Sequence, residues 1–292
     1  MNDIPIIMSI LFWTAIGLVS VATGFFVFFL IEQVRARRFR RKNKENDEEN
    51  LFCDVAYFFE KGKRDRQEDS FYISPLEQYG SHGIVVCVSD GMGGLSYGDE
   101  ISKAITDSVS DMYPIDFDDR FSTSEQVKKL SNSLFEKYNR QGGATFAMVH
   151  IFRNRLNVFS VGDSDVILIR DGRATVINPK QNYISVLIQD LIKQGKTTHE
   201  AYVTKKCRAL VDYMGNFNPR VLFFQSPIKL YDGDTVIVCS DGLTDAIPVG
   251  HLNRFLTYSA INTAHNLKEE IKLKNIPRQD NFTGIIMHLN RD

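Results

Sequence analysis

The sequence predicts an α+β fold of antiparallel sheets and helices, preceded by a single transmembrane helix. Short apolar runs rich in β-branched residues recur along the chain, as expected for buried strands. Several of these runs are adjacent and joined by tight turns, and successive hairpins indicate antiparallel rather than parallel sheet. The third observation is an uncharged apolar stretch from Ile4 to Ile31, which predicts a membrane span.

Paired strands lie in the middle of the chain. One hairpin is expected over 145–161 and a second over 166–177, where Asp171-Gly172 forms a favoured turn. Further strands are expected over 54–59, 70–73, 84–88, 236–239 and 282–289, and helices over 98–112, 122–138 and 251–274. Ser124 is a candidate N-cap for the second of these helices.

The apolar N-terminal stretch is long enough to cross a membrane. As a helix with a rise of 1.5 Å per residue, about 28 residues span about 42 Å, which exceeds the ~30 Å hydrocarbon core. Two alternatives remain open. A cleaved signal peptide would carry its positive charges before a shorter apolar run, and a buried core helix is rarely apolar all round over this length. We therefore expect a transmembrane anchor over residues 1–34.

Charged residues follow this stretch and predict its orientation. A run of arginines and lysines extends from Arg35 to Lys44, and an acidic segment extends from Glu45 to Asn50. Positive residues that flank a span stay in the cytoplasm, so we expect the N-terminus outside and the following domain inside. Residues 35–50 are interpreted as a flexible juxtamembrane linker. Its basic part either lies against anionic headgroups or is solvated.

Net charge and cysteine spacing narrow the possible functions. The formal net charge of the 292 residues is −1, which gives no reason to expect nucleic acid as a partner. The four cysteines, at 53, 87, 207 and 239, have no spacing of the zinc type. Free thiols in a reducing compartment are therefore expected.

Two strand-like runs end in the same three residues. The triplet Ser-Asp-Gly occurs at 89–91 and again at 240–242, each time directly after a run rich in valine and isoleucine. Each triplet places a carboxylate at a strand end, where glycine allows a sharp turn and the close approach of other groups. One such aspartate is usually a turn residue. Two of them, with further acidic motifs around them, suggest carboxylates that converge on a hard metal ion.

These motifs belong to an ordered set, which comprises Arg64 to Asp69, Asp90 to Gly94, Gly142 to Thr145, Gly162 to Ser164, Ser240 to Asp245 and Gln279 to Asn281. With this set, the chain resembles the metal-dependent Ser/Thr protein phosphatases of type 2C, the PPM family, in their bacterial form. The resemblance covers residues 51–292, with the family's flap at about 179–227. It implies a four-layer α-β-β-α sandwich with metal ions in a cleft at one end.

The resemblance also implies a site for two Mg²⁺ or Mn²⁺ ions. Asp90 would bridge both ions, while the Gly91 carbonyl and Glu68 would complete the protein ligands of one of them. Asp241 and Asp280 would hold the other ion. Oxygen ligands of this kind favour Mg²⁺ or Mn²⁺ over zinc, which prefers histidine and cysteine.

Further residues take their expected roles from the same resemblance. Asp163, with Asp241, matches a more weakly held third metal site, and Arg64 matches the arginine that grips the substrate phosphate. A guanidinium suits that role because its planar fork donates two parallel hydrogen bonds to phosphate oxygens. Asp69 and Asp245 are expected behind the metal ligands, where Asp69 would order water or the neighbouring loop.

Several of these residues also have purely structural interpretations. Asp163 in Gly-Asp-Ser is typical of a turn, and Asp280 of a loop cap. Asp245 either caps its loop or makes an accessory metal contact. Arg66 is a local alternative to Arg64, although a solvated arginine is its more typical state.

The activity implied is hydrolysis of phosphoserine and phosphothreonine in proteins by attack of a metal-bridging hydroxide, with Arg64 and Asp90 as catalytic residues. Met92 occupies the place where eukaryotic relatives often have histidine and cannot donate a proton, so metal-bound water is expected to act as the acid. A cognate Ser/Thr kinase and its substrates are expected partners at the membrane. The alternative is a catalytically weak, phosphatase-like sensor or recruitment module.

Overall fold

Two antiparallel β-sheets pack face to face and carry helices on their outer faces in the computed structural model, which describes residues 51–92, 96–197 and 209–291. The strands are β1 (Phe52–Glu60), β2 (Asp69–Ile73), β3 (Ile84–Asp90), β4 (Phe146–Phe152), β5 (Arg155–Val161), β6 (Asp165–Arg170), β7 (Arg173–Val176), β8 (Leu222–Phe223), β9 (Ile228–Lys229), β10 (Thr235–Cys239) and β11 (Phe282–Asn290). Sheet A has the order β1-β11-β10-β6-β7. Sheet B has the order β2-β3-β4-β5-β8, and β9 also pairs with β5.

The helices are placed between and after these strands. They are α1 (Tyr79–His82), α2 (Gly98–Met112), α3 (Arg120–Lys137), α4 (Tyr183–Lys193), α5 (Asp241–Ala246) and α6 (Ala260–Lys274), with 3₁₀ turns at Leu76–Gln78 and Val249–Phe255. The predicted α+β class with two antiparallel sheets and flanking helices is therefore confirmed.

The main core lies between the two sheets. Val86 and Val149 of sheet B pack there with Val236 and Ile285 of sheet A, and all four side chains are buried. Successive side chains of a strand point to opposite faces, so only alternate residues of each strand reach this layer.

The other faces of both sheets are covered by helices. Val85 of β3 packs with Ile105 of α2, and Ile237 of β10 packs with Leu267 of α6. Because β3 and β10 are buried on both faces, they appear in the sequence as continuous apolar runs rather than alternating ones. The layers are thus α-β-β-α, and both Ser-Asp-Gly triplets lie at the ends of buried strands.

Local turn and cap chemistry explains where elements begin and end. The predicted hairpin turn has Asp171 and Gly172 at φ of 51° and 72°, the left-handed conformation that such turns require. The predicted cap at Ser124 is wrong. Asp119 is the N-cap of α3, and its side chain accepts a hydrogen bond from the Ser122 backbone N–H at 2.9 Å. Ser124 is buried within the helix.

Some predictions concern residues outside the described part. The anchor (1–34), the linker (35–50) and Cys207 lie there, and so does the segment 198–208 of the flap. The described residues belong to one compact unit. Within the described ranges, every helix is too short or too polar to cross a membrane. Three cysteines in those ranges are buried free thiols, at positions 53, 87 and 239.

Candidate active site

A cleft of about 240 Å³ opens where strands of both sheets end. Its lining residues are Arg64, Asp90, Gly91, Met92, Thr145, Asp163, Ala209, Leu210, Asp241 and Asp280. Four carboxylates thus face one space, together with one guanidinium. The structure brings together most of the residues singled out in the sequence, whereas Glu68, Asp69 and Asp245 lie outside this lining.

The carboxylates come from four separate places in the fold. Asp90 is the last residue of β3 in sheet B, and Asp241 begins α5 directly after β10 of sheet A. Asp163 lies in the turn between β5 and β6, and Asp280 lies two residues before β11. The two Ser-Asp-Gly triplets therefore bring equivalent strand ends of different sheets to the same cleft.

Asp90 lies among several other carboxylates. Burial raises its pKa well above the ordinary value, and the neighbouring carboxylates of Asp69, Asp241, Asp163 and Asp280 raise it further. Each of these charges disfavours ionisation of the others at close range. A group of carboxylates that oppose one another in this way is a site that favours a cation.

Asp241 shares this environment. Burial, followed by the charges of Asp163, Asp245 and Asp280, raises the pKa of Asp241 to about 7. Asp245 is exposed one turn further along α5, so it acts on the site through its charge while its side chain faces the surface.

Asp69 lies behind Asp90 and connects the two sheets. It faces Asp90 across the β2–β3 pairing, and its Oδ2 accepts hydrogen bonds from Ser240 Oγ (2.8 Å) and Thr283 Oγ1 (2.7 Å) of sheet A. Burial raises its pKa to about 6, and these two hydrogen bonds oppose that rise. No donor in the described part of the chain contacts its Oδ1. Asp69 therefore holds the sheets together beneath the cleft.

Gly91, which lines the cleft, is hydrogen-bonded to Glu68 behind it. The Gly91 N–H donates to the Glu68 carbonyl at 3.0 Å, and Ser102 Oγ donates to the same oxygen at 2.6 Å. A Cβ at Gly91 would lie 2.6 Å from the Glu68 carbonyl oxygen, so only glycine allows this approach. Burial, and then the charge of Asp99, raise the pKa of Glu68, whereas Arg64 lowers it.

Arg64 stands over Asp280 at the mouth of the cleft. Its Nη2 is 2.5 Å from Asp280 Oδ2, and the two side chains are 43% and 41% exposed. Both are therefore accessible to a ligand from solvent. Arg66 is more exposed, and its guanidinium is 3.9 Å from Asp99. Of the two arginines, Arg64 is the one that lines the cleft.

Asp163 contacts the base of the flap. Asn182 Nδ2 donates to Asp163 Oδ2 at 3.3 Å, and the Asn182 side chain also caps α4. Burial raises the pKa of Asp163, and the charge of Lys180 lowers it. The flap and this side of the cleft are thus joined through the segment that contains Lys180 and Asn182.

An ion pair near the cleft, between half-buried Lys180 and buried Asp165, had no clear signal in the sequence. Lys180 Nζ is 2.9 Å from Asp165 Oδ2, and Thr244 Oγ1 donates to that same oxygen at 2.8 Å. The pair connects β6, the base of the flap and α5, which begins at Asp241. Asp165 follows a Gly-Asp-Ser turn motif, so its sequence context predicts only a turn.

Thr145, the last residue of the predicted motif Gly142 to Thr145, lines the cleft beside Asp90. Its Oγ1 accepts a hydrogen bond from the Asp90 N–H at 2.9 Å and lies 2.5 Å from Ser164 Oγ. Its backbone N–H donates to the Asp90 carbonyl at 2.8 Å. Thr145 therefore fixes the end of β3 against the turn that carries Asp163.

The donor set suits Mg²⁺ or Mn²⁺. Its groups are carboxylate and carbonyl oxygens, the ligands that hard divalent cations prefer. Within the described ranges, no three His, Cys, Asp or Glu side chains are close enough to enclose an ion. Mg²⁺ usually keeps several waters and binds through one or two carboxylates, so such an enclosure is not required.

The raised pKa values predict the pH dependence of stability. In EDTA, the folded chain should bind more protons than the unfolded chain between about pH 4 and 7, because the pKa values of Asp69 and Asp241 are raised to about 6 and about 7. Thermal stability should therefore fall as the pH rises through this range. Mn²⁺ should raise the melting temperature more at pH 7.5 than at pH 5, since protons compete for the same oxygens.

The control is Asp241→Asn, which should flatten the slope measured in EDTA. A melting temperature that rises with pH in EDTA, or an Mn²⁺ effect independent of pH, would contradict this electrostatic description of the cleft.

Known proteins provide an independent comparison. No family model matches the chain. A putative protein phosphatase 2C-type from Streptococcus pyogenes is 26% identical over 215 residues, which cover 70% of this chain and 85% of that protein. The serine/threonine protein phosphatase PstP from Mycobacterium tuberculosis is 25% identical over 196 residues, which cover 63% of this chain and 35% of that protein.

Solved structures agree with these relatives at the level of fold. The catalytic domain of PstP, solved in complex with two manganese ions, superposes with a TM-score of 0.66 at 21% identity, covering 82% of this chain and 99% of that one. The relatives and the solved structures together support a metal-dependent protein Ser/Thr phosphatase. By sequence this chain is similar to bacterial protein phosphatases of the 2C type, and its fold matches that of the PstP catalytic domain.

Proposed function

We propose that this protein hydrolyses phosphoserine and phosphothreonine in proteins at a dinuclear Mg²⁺ or Mn²⁺ site. One observation carries the proposal: the carboxylates of Asp90, Asp163, Asp241 and Asp280 share a single cleft with the guanidinium of Arg64. Mutually opposed carboxylates attract divalent cations, and an accessible guanidinium attracts phosphate. A phosphomonoester is the substrate class that needs both.

The metal ligands follow from the placement of the side chains. Asp90 is central, since all of the neighbouring carboxylates named above act on it. Glu68 and the Gly91 carbonyl would complete the protein ligands of one ion, and Asp241 with Asp280 those of the other. When bound, two such ions would activate water for direct attack on phosphorus and would stabilise charge on the phosphoryl oxygens.

A third, weaker ion would bind between Asp163 and Asp241. Asp163 already accepts a hydrogen bond from Asn182, and the charge of Lys180 acts on it. A nearby ammonium reduces the attraction of this side of the cleft for a further cation, which agrees with weaker binding there.

Arg64 binds and orients the phosphate. Its guanidinium lies at the cleft mouth and now pairs with Asp280, so an arriving phosphate competes with a carboxylate for the same donors. If Asp280 binds a cation, Arg64 becomes free to donate two parallel hydrogen bonds to phosphate oxygens. Met92 also lines the cleft, and its thioether has no proton to give to the leaving alkoxide. That proton must come from water.

Paired variants of the two arginines test this assignment. With p-nitrophenyl phosphate and Mn²⁺, Arg64→Ala should lower kcat/KM by about 10²-fold, since it removes a charge-assisted contact to phosphate. Arg66→Ala should change it by less than about twofold, since Arg66 lies outside the cleft lining.

Asp90→Ala provides the baseline for the same assay, because it removes the proposed bridging ligand. A wild-type protein as inactive as Asp90→Ala would refute the enzyme assignment and favour the phosphatase-like sensor or recruitment module. A phosphothreonine peptide measured alongside p-nitrophenyl phosphate establishes the protein substrate class.

The proposed location is the inner face of a membrane, where the activity opposes a Ser/Thr kinase. The support is in the sequence: an uncharged apolar stretch from Ile4 to Ile31, followed by the basic run from Arg35. This charge pattern favours a single span with its N-terminus outside and the catalytic domain in the cytoplasm.

Cysteine accessibility measures this topology directly. A single cysteine introduced at Asn2, in a chain whose other cysteines are replaced by serine, should react with an impermeant maleimide in intact cells. A cysteine at Asp292 should react only after lysis. Labelling of both sites in intact cells, or of neither before lysis, would contradict the proposed orientation.

A further inference from the structure

We propose that Asn281 is the positioning residue for the substrate-binding loop, defined as residues 61–68, which carries both Arg64 and Glu68. This inference rests on the proposed function, because it concerns the arginine assigned to phosphate. Asn281 follows Asp280 directly, and its side chain is buried at 3% exposure. It lies beneath the loop, and its contacts connect the loop to the Asp280 segment.

One amide group makes three contacts with the loop backbone. Asn281 Nδ2 donates to the carbonyls of Lys61 (2.7 Å) and Arg66 (2.9 Å), and Asn281 Oδ1 accepts from the Glu68 N–H at 2.8 Å. Two carbonyls require a donor and one N–H requires an acceptor, so only this orientation of the amide satisfies all three groups.

These contacts bracket Arg64 in the chain. Lys61 lies three residues before it, Arg66 two residues after it and Glu68 four residues after it. The backbone between β1 and β2 lacks the hydrogen-bond ladder of a regular strand, so its position depends on such contacts. Asn281 therefore fixes both ends of the segment from which the Arg64 side chain extends.

The same loop is pressed closely against the Asp280 segment. The Lys63 N–H donates to the Gln279 carbonyl at 2.8 Å, and a Cβ at Gly62 would lie 2.1 Å from the Asp280 carbonyl oxygen. Gly62 has a φ of 63°, which also favours glycine. With Asn281, these contacts place Arg64 and Asp280 in one rigid unit.

The fixed backbone of the substrate-binding loop should strengthen phosphate binding. Arginine has a long, flexible side chain, and a displacement of its backbone by about 1 Å is enough to weaken a precise contact by up to about 10²-fold. A fixed backbone reduces the ordering needed when phosphate binds. Asn281 should therefore act on phosphate affinity through Arg64 and Glu68 without touching phosphate itself.

Isosteric replacement separates the donor and acceptor functions of Asn281. In Asn281→Asp, the side chain still accepts from the Glu68 N–H but presents an oxygen to the carbonyls of Lys61 and Arg66. Titration calorimetry with inorganic phosphate, in the presence of Mn²⁺, should show an affinity at least about tenfold lower than wild type. The side chain in Asn281→Ser is uncharged and too short for all three contacts, so this variant should also bind phosphate more weakly than wild type.

A double-mutant cycle distinguishes positioning from general loss of structure. In the Arg64→Ala background, Asn281→Ser should lower phosphate affinity by a much smaller factor than in the wild-type background, because Arg64 is already absent and only the effect through Glu68 remains. The matched control is Asn157→Ser. Asn157 is a buried asparagine that donates to the Phe117 carbonyl at 2.7 Å, far from the cleft, so its loss should reduce thermal stability and leave phosphate affinity unchanged.

Wild-type phosphate affinity in a folded Asn281→Ser protein, or an effect of equal size with and without Arg64, would overturn the inference. If Asn281→Asp does not fold, the serine variant and its cycle still decide the question. A wild-type protein that neither hydrolyses p-nitrophenyl phosphate nor binds phosphate would instead refute the proposed function.

Discussion

This end of the molecule depends on one constraint: negatively charged carboxylates are held close together where the two sheets meet. Asp90 ends a strand of sheet B and Asp241 follows a strand of sheet A, and burial together with mutual repulsion raises the pKa of both. Such an arrangement is unfavourable for folding, since each carboxylate loses hydration and gains a like-charged neighbour. It persists because the surrounding fold is stable and because cations can offset the repulsion.

Hydrogen bonds and positively charged side chains of the fold reduce the unfavourable free energy of these buried, like-charged carboxylates. Asp69 accepts from two hydroxyls of sheet A, and Lys180 neutralises Asp165 next to Asp163. Arg64 pairs with Asp280 at the exposed mouth. Asp90, which lies in front of Asp69, has no cation of this kind among its strongest influences. A cation is therefore most favoured beside Asp90, the proposed bridging ligand.

Much of this arrangement could be predicted from the sequence, and the limits have physical reasons. Strands β3 and β10 are buried on both faces, so their continuous apolar runs and the carboxylates that follow them were recognisable. The Asp119 cap was missed because Ser124 lies closer to the start of the helical periodicity. Contacts such as Lys180–Asp165 and Asn281–Lys61 join segments distant in the chain, and only the packing of the sheets brings them together.

The most direct test of the central claim is calorimetric titration of the full chain with Mn²⁺. Two ions should bind to the wild-type protein, and Asp90→Asn should weaken both, because the bridging carboxylate serves each of them. Asp107→Asn, which alters an exposed aspartate on α2, should bind like wild type. Absence of Mn²⁺ binding in the wild-type protein, or equal binding in Asp90→Asn, would contradict a shared cation site at the junction of the two sheets.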